Sequence, residues 1–353
     1  MKRENIVAIG EIDQFDEIID VRTLAEFHID HIPGAVSFPV LNEEERARVG
    51  TLYKQVSPFE ARKLGAALTA RNIARHIEES FASRPREWRP LVYCWRGGQR
   101  SGAMAHILGE IGWRVARLEG GYKAYRGEVL AQLERLPPLL TFRVLCGPTG
   151  SGKSRLLQAI AAKGAQVLDL EGIAHHRGSV LGSIPGDPQP SQKWFESKLV
   201  QSLRGFDVAS PIWVESESRK IGSIQVPTTL LARIRASNCV RVESPLAERV
   251  RFLIEEYPHM LADPATLKQR LLQLADLQSR ETMESWMKTI DTGDWVRLVH
   301  DLLESHYDPL YLRSMSKSYP DLDSAPVVHL SSLDAASLTA QAQVLAANFT
   351  TSA

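Results

Sequence analysis

Phe142-Arg143-Val144-Leu145-Cys146-Gly147-Pro148-Thr149-Gly150-Ser151-Gly152-Lys153-Ser154 runs a short apolar segment into a glycine-rich turn and a Lys-Ser pair. Arg155-Leu156-Leu157-Gln158-Ala159-Ile160 follows and reads as helix. Strand, glycine turn, Lys-Ser, helix is the P-loop pattern, and both spacing and flanks fit it. Glycines let consecutive backbone N–H groups turn inward around a phosphate, and the helix that follows presents its positive end. Lys153 adds a mobile cation, and Ser154 can hold a phosphate oxygen or Mg²⁺. The candidate diphosphate-binding set is therefore Gly147, Thr149, Gly150, Ser151, Gly152, Lys153 and Ser154. The motif leaves open which phosphate compound binds and whether it is hydrolysed.

Downstream of the loop, Ala165–Leu170 reads as a second strand delivering Asp169 and Glu171. A polar, glycine-rich stretch with His175, His176 and Arg177 continues to Pro190, and long loops at strand ends commonly carry function. Gln192–Leu203 reads as helix, Pro211–Val214 as a strand delivering Glu215 and, further on, Arg219, and Cys239–Val242 as a fourth strand. Leu246 to about Met315 has apolar positions at three- and four-residue spacing, a helical extension. Upstream, strands at Asp16–Arg22, Ala35–Phe38, Pro90–Tyr93 and Val115–Leu118 alternate with helical stretches at 41–80 and Ala103–Ile111. This alternation predicts two α/β domains with parallel sheets. Boundaries are expected at 1–133 and 141–353, with Pro137-Pro138 marking a linker over 134–140.

The 353 residues suit two domains, and 42 Lys plus Arg balance 42 Asp plus Glu. No global basic field announces a nucleic acid, although a local groove suffices for one. Three dispersed cysteines suggest neither a disulfide framework nor a zinc site, and a cytoplasmic location fits them. No signal peptide or membrane-length apolar run is visible.

Cys94-Trp95-Arg96-Gly97-Gly98-Gln99-Arg100-Ser101 also lies between a strand and a helix. Amides of its glycine turn, with Arg96 and Arg100, would converge on the sulfur and favour thiolate. Such a nucleophile can carry sulfur or selenium, or attack phosphorus. Cys146 and Cys239 read as ordinary strand cysteines.

Asp20-Val21-Arg22, His31-Ile32-Pro33-Gly34-Ala35, the Cys94 loop and Leu118-Glu119-Gly120-Gly121-Tyr122 together resemble the rhodanese domain. Five residues separate Cys94 from Arg100, where single-domain rhodaneses commonly have four; the longer loop matches that of rhodanese-fold phosphatases. A phosphate-sized loop on a chalcogen-transfer fold suits selenophosphate. The order rhodanese then P-loop, with Asp169-Leu170-Glu171-Gly172, His175-His176-Arg177-Gly178-Ser179 and Glu215-Ser216-Glu217-Ser218-Arg219, resembles the bacterial tRNA 2-selenouridine synthases along essentially the whole chain.

That resemblance implies an N-terminal rhodanese-like domain and a C-terminal P-loop NTPase-like domain. It implies a transferase that replaces sulfur by selenium in wobble 2-thiouridine of tRNA, through an S-geranyl intermediate made from geranyl diphosphate. Selenophosphate is the implied donor and selenophosphate synthetase the implied partner; no membrane partner is implied. Cys94 would handle selenium; Arg96, Gly97, Gly98, Arg100 and Ser101 would hold the donor. The P-loop would grip diphosphate, with Mg²⁺ as a substrate-borne ion and no tightly bound cofactor. Asp169 or Glu215 would be the acid on the metal side, with Asp169 ahead on strand-end position and helix capping the competing role. Glu171, His175, His176, Arg177 and Arg219 are additional candidates without an assigned metal site. Alternatives are a P-loop-dependent sulfurtransferase and a kinase or ATPase carrying a rhodanese-like module. An apolar groove for a geranyl chain is expected within Leu246–Met315. His306-Tyr307-Asp308-Pro309 stands out as a polar group at a helix end that could stack a base.

Overall fold

The computed structural model describes residues 5–349, arranged as two compact units. The first unit comprises residues up to Gln132 together with Ser191–Gln201; the second comprises Leu133–Pro190 and everything from Ser202 onward.

In the first unit, strands β1 (Ile6–Val7), β2 (Glu17–Asp20), β3 (Val36–Ser37), β4 (Pro90–Tyr93) and β5 (Ala116–Leu118) form a sheet in the order β1-β5-β4-β2-β3. Every pairing is parallel. A parallel sheet needs crossover connections, and helices supply them. The helix Leu24–Ile29 begins with a reciprocal cap between Thr23 and Glu26, and Glu43–Gln55 begins with one between Asn42 and Glu45. The apolar faces meet in a core of Ile19, Val21, Val40, Ile73, Phe81, Trp88, Val92, Met104 and Leu108, and Cys94 belongs to it. β4 ends at Tyr93, so Cys94 is the first residue beyond a fully buried strand. The next helix, Gln99–Ile111, starts inside the cysteine loop, four residues earlier than the apolar pattern suggested.

The expected linker is ordered. Helix Gly121–Arg135 runs through its first residues, and Pro137–Leu139 forms a 3-10 turn.

In the second unit, β6 (Phe142–Cys146), β7 (Gln166–Leu168), β8 (Ile212–Glu215), β11 (Asn238–Glu243) and β12 (Val327–His329) form a parallel sheet in the order β12-β11-β6-β8-β7. A small antiparallel ribbon joins β9 (Lys220–Ile221) to β10 (Ile224–Gln225). The P-loop strand β6 is central and β8 is its neighbour, with Leu145 opposite Glu215. Helix Lys153–Ala162 buries Leu156, Leu157 and Ile160 against the sheet. The helical extension has its own core of Met260, Leu267, Leu271, Leu274, Met283, Trp286, Ile290, Leu298 and Leu302. Among the described residues no helix is long and apolar enough to cross a membrane.

Candidate functional site

Each unit carries one loop of chemical interest. In the first unit Cys94 is buried, 3% exposed. The Gly98 amide and the Ser101 hydroxyl each donate to it at 3.2 Å. Burial pushes the thiol up, but the hydroxyl and amide of Ser101, the Arg96 amide and the Arg100 charge outweigh it and hold the thiol below its ordinary value. Arg96 stands exposed at the loop mouth. Arg100 also reaches Glu26 at 3.0 Å. Burial raises the Glu26 carboxyl, and the charges of Arg100 and Arg46 with the Thr23 amide bring it below normal. Sequence spacing could not find Glu26, because it lies 74 residues from Arg100.

The loop is shaped by close approach of two glycine turns. Gly97 has φ +64°, and a β-carbon on it would meet the Leu118 carbonyl at 2.7 Å. Gly121, φ +58°, packs directly on the Cys94 carbonyl and the Gly97 nitrogen, a position no side chain tolerates. The amides of Tyr122 and Lys123 donate to the carbonyls of Cys94 and Trp95 at 2.9 and 3.0 Å. Behind the loop, Arg22 is buried and grips Asp20 through contacts of 2.6 to 3.0 Å. It also donates to the Asp30 carbonyl at 2.6 Å and lies 3.9 Å over the Tyr122 ring. The Asp-Val-Arg motif thus fixes Tyr122, whose hydroxyl donates to Asp30 at 2.8 Å.

In the second unit the P-loop lines a cleft of about 720 Å³. Gly152 adopts φ +81° just before the helix, and a β-carbon there would lie 2.7 Å from Leu333. The Lys153 ammonium donates to the loop's own carbonyls, Gly147 at 2.7 Å and Pro148 at 3.1 Å. Thr149 is braced from outside: Arg249, 5% exposed, donates to its carbonyl at 2.9 Å while forking onto Asp308 at 2.9 and 2.6 Å.

Carboxylates crowd the opposite wall. Glu215 is 7% exposed and lies near Lys153 and Ser154. Burial raises its carboxyl, with Lys153 and Ser154 acting against that. Burial and then the Glu215 charge push Glu217 up to about 8; burial, Glu215 and Glu217 push Glu171 up to about 10. Of the two acids weighed from sequence, Asp169 spends its carboxylate capping helix Leu170–Ala174, accepting from Gly172 at 2.7 Å. Both line the cleft, and Glu215 is the one on the strand next to the P-loop strand.

His176 and Arg177 line the cleft, whereas His175 and Arg219 are not among its lining residues. His175 ends the short helix at φ +49° and pairs with Asp187 at 2.7 Å. Arg177 bonds the Glu256 carbonyl at 2.6 Å and lies 4.9 Å from the Tyr257 ring centroid. Arg219 is exposed beside the ribbon. Among the described residues no group of three His, Cys, Asp or Glu side chains is disposed to hold a metal ion.

A second, smaller pocket adjoins the cleft and shares Thr149, Ser179, Leu253, Tyr257 and Tyr307 with it. Its remaining lining is apolar throughout, including Met260, Leu267, Leu298, Val299 and Leu302. Most of its walls lie within Leu246–Met315, the stretch expected to hold an apolar groove, but no residue pattern singled them out, since they come from several separate helices and two loops.

Fold and loops define the class: a rhodanese-type cysteine loop in one unit and a P-loop with a helical extension in the other. Residues 6–128 match the rhodanese-like domain, and residues 140–290 match the tRNA 2-selenouridine synthase AAA domain. The tRNA 2-selenouridine synthase of Hydrogenovibrio crunogenus is 33% identical over 353 residues, covering 89% of this chain and 95% of that protein. That of Bdellovibrio bacteriovorus is 32% identical over 345 residues, covering 86% and 89%. That of Nitrosomonas europaea is 37% identical over 260 residues, covering 72% and 66%. The chain belongs to the tRNA 2-selenouridine synthase family.

Proposed function

We propose that this protein replaces the C2 sulfur of wobble 2-thiouridine in tRNA with selenium in two steps. The P-loop unit first transfers a geranyl group from geranyl diphosphate to the thiouridine sulfur. Selenium from selenophosphate, handled at Cys94, then displaces the S-geranyl group. The observation that carries this reading is the apolar pocket opening directly off the P-loop cleft. A phosphate cradle continuous with an almost wholly hydrocarbon wall suits a ligand with a diphosphate head and an apolar tail. A nucleotide base would find few partners there for its ring nitrogens and exocyclic groups, and unpaired polar groups are costly.

The division of labour follows from charge. Loop amides, the helix N-terminus and Lys153 stabilise the departing diphosphate. The residues fit Mg²⁺ arriving with the substrate, because Ser154 and Glu215 offer a hydroxyl and a carboxylate oxygen side by side. Such an ion would screen the diphosphate from the carboxylates opposite; Ser154 and Glu215 would hold it from the protein side. In the other unit, Cys94 as thiolate suits attack on the phosphorus of selenophosphate, forming an S–P bond as the P–Se bond breaks and selenide leaves for the tRNA. Water then cleaves the S–P bond to free phosphate, and the exposed Arg96 suits an anionic donor.

The test separates the steps. The protein is incubated with 2-thiouridine-containing tRNA and geranyl diphosphate, then with selenophosphate, and nucleosides are resolved by mass. Lys153→Ala should lose geranylation; Cys94→Ala should geranylate and fail to selenate. Loss of the same step in both variants would sink the assignment, and ATP turnover that geranyl diphosphate does not compete with would favour an ATPase.

A further inference from the structure

We infer that Tyr307 is the aromatic group that stabilises positive charge on the carbon being transferred in the P-loop unit, an inference that rests on the prenyl-diphosphate reading above. A ligand with its diphosphate on the loop amides and its hydrocarbon tail in the apolar pocket must pass its first carbon through the residues common to both. Those are Thr149, Ser179, Leu253, Tyr257 and Tyr307, of which two are aromatic.

The two rings are not equivalent. The Arg177 guanidinium already sits 4.9 Å from the Tyr257 centroid, and Arg177 is itself tied to Glu256 at 2.6 and 3.2 Å. Tyr257 thus holds a cation suited to the departing diphosphate. Tyr307 carries no such cation among the described residues. Its nearest ring is the His306 imidazole, edge-on at 4.9 Å and 83°. Burial depresses the His306 basicity, so that neighbour is neutral near pH 7.

Two features hold Tyr307 at the junction. It closes a five-residue π-helical turn, Leu303–Tyr307, a rare backbone form frequently found at functional sites. The next residue, Asp308, takes both arms of the Arg249 fork, and Arg249 donates to the Thr149 carbonyl. The backbone beside Tyr307 is therefore pinned to the P-loop itself.

In the transfer, the C1–O bond of the allylic diphosphate breaks and its electron pair leaves with the diphosphate. A lone pair on the thiouridine sulfur forms the C–S bond, and the N3 proton passes to the departing diphosphate. Where C–O cleavage runs ahead, positive charge spreads over the allyl group. A ring face in a water-poor site attracts that charge, which exists only in the transition state.

The experiment uses the full chain with 2-thiouridine tRNA under single turnover. It compares wild type, Tyr307→Phe and Tyr307→Leu, with geranyl and 2-fluorogeranyl diphosphate as substrates. Affinity is read separately with the unreactive geranyl S-thiolodiphosphate. Tyr307→Phe should transfer within about threefold of wild type, and Tyr307→Leu about 30-fold more slowly, with analogue affinity nearly unchanged. Fluorine should slow the wild type strongly. A wild-type rate in Tyr307→Leu, a rate loss matched by lost analogue affinity, or indifference to fluorine would overturn the inference while leaving geranyl transfer standing. A wild type that transfers no prenyl group would overturn both.

Discussion

Removing the Ser101 hydroxyl tests the thiolate loop directly. The hydroxyl lies 3.2 Å from the Cys94 sulfur and Ser101 is 0% exposed, so water cannot take its place in Ser101→Ala. A hydrogen bond to a charged acceptor contributes about 1.5–3 kcal/mol. At 1.36 kcal/mol per pKa unit that corresponds to a rise of roughly 1–2 units in the Cys94 pKa. The sign follows from the native value, which lies below that of an ordinary thiol. Thiolate in the native protein persists to lower pH than in a free cysteine, and in Ser101→Ala that advantage shrinks. At any pH below the midpoint the thiolate-to-thiol ratio falls about 10- to 100-fold. The assay is the ultraviolet thiolate band followed against pH, taken as a difference from Cys94→Ala so that Cys146 and Cys239 cancel. Ser101→Thr keeps the hydroxyl and should titrate near the native midpoint. A shift in Ser101→Ala below about half a unit would refute the reasoning and assign the thiolate to the amides and Arg100 alone.

Lys153→Ala should lower geranyl transfer about 10²–10³-fold while leaving the Cys94 titration unmoved, measured by nucleoside mass and the thiolate band. Gly121→Ala would force a β-carbon to within 2.5 Å of the Gly97 nitrogen at φ +58°. It should destabilise the first unit by about 2–5 kcal/mol, read by denaturant unfolding. Val299→Phe fills the apolar pocket; displacing two or three methylenes of the tail should weaken geranyl diphosphate binding about 30-fold and leave inorganic diphosphate unaffected, as calorimetry would record.

The α/β architecture was legible because its signals are local. Apolar strands end at glycine turns in 142–154 and 90–101, and the helical period of 246–315 survives into the structure. β12 was not legible: Val327–His329 is three residues long and gains its identity only from pairing with β11. The order of the linker was not legible, because Pro137-Pro138 reads as a break, whereas proline also suits the first positions of a helical turn, the place it takes here. In the site, loop residues were visible because phosphate and thiolate binding need particular amides at fixed spacing. Their supports were not. Glu26 beside Arg100, Arg249 and Asp308 behind Thr149, and the walls of the apolar pocket all meet across long stretches of chain. The nearness of Glu215 to the P-loop comes from strand order, which places β8 beside β6, and strand order is a tertiary fact.

Ser191–Gln201 belongs to the first unit although it lies deep within the sequence of the second. Trp194 lies tilted against His31 at 4.2 Å, and His31 lies flat on Phe27 at 3.7 Å; Glu196 pairs with Arg126, and Ser191 bonds the Ile29 carbonyl across 162 residues of chain. On the ribosome, the cysteine-bearing half therefore cannot finish when its own sheet is complete. It waits for residues 133–201, a lag of roughly 3–14 s at about 5–20 residues per second. During that interval β6, the P-loop and β7 are already made, so the phosphate cradle emerges before the thiolate half has closed. Synthesis stalled between residues 132 and 190 would leave a first unit lacking the Trp194 ring, the form most exposed to proteolysis.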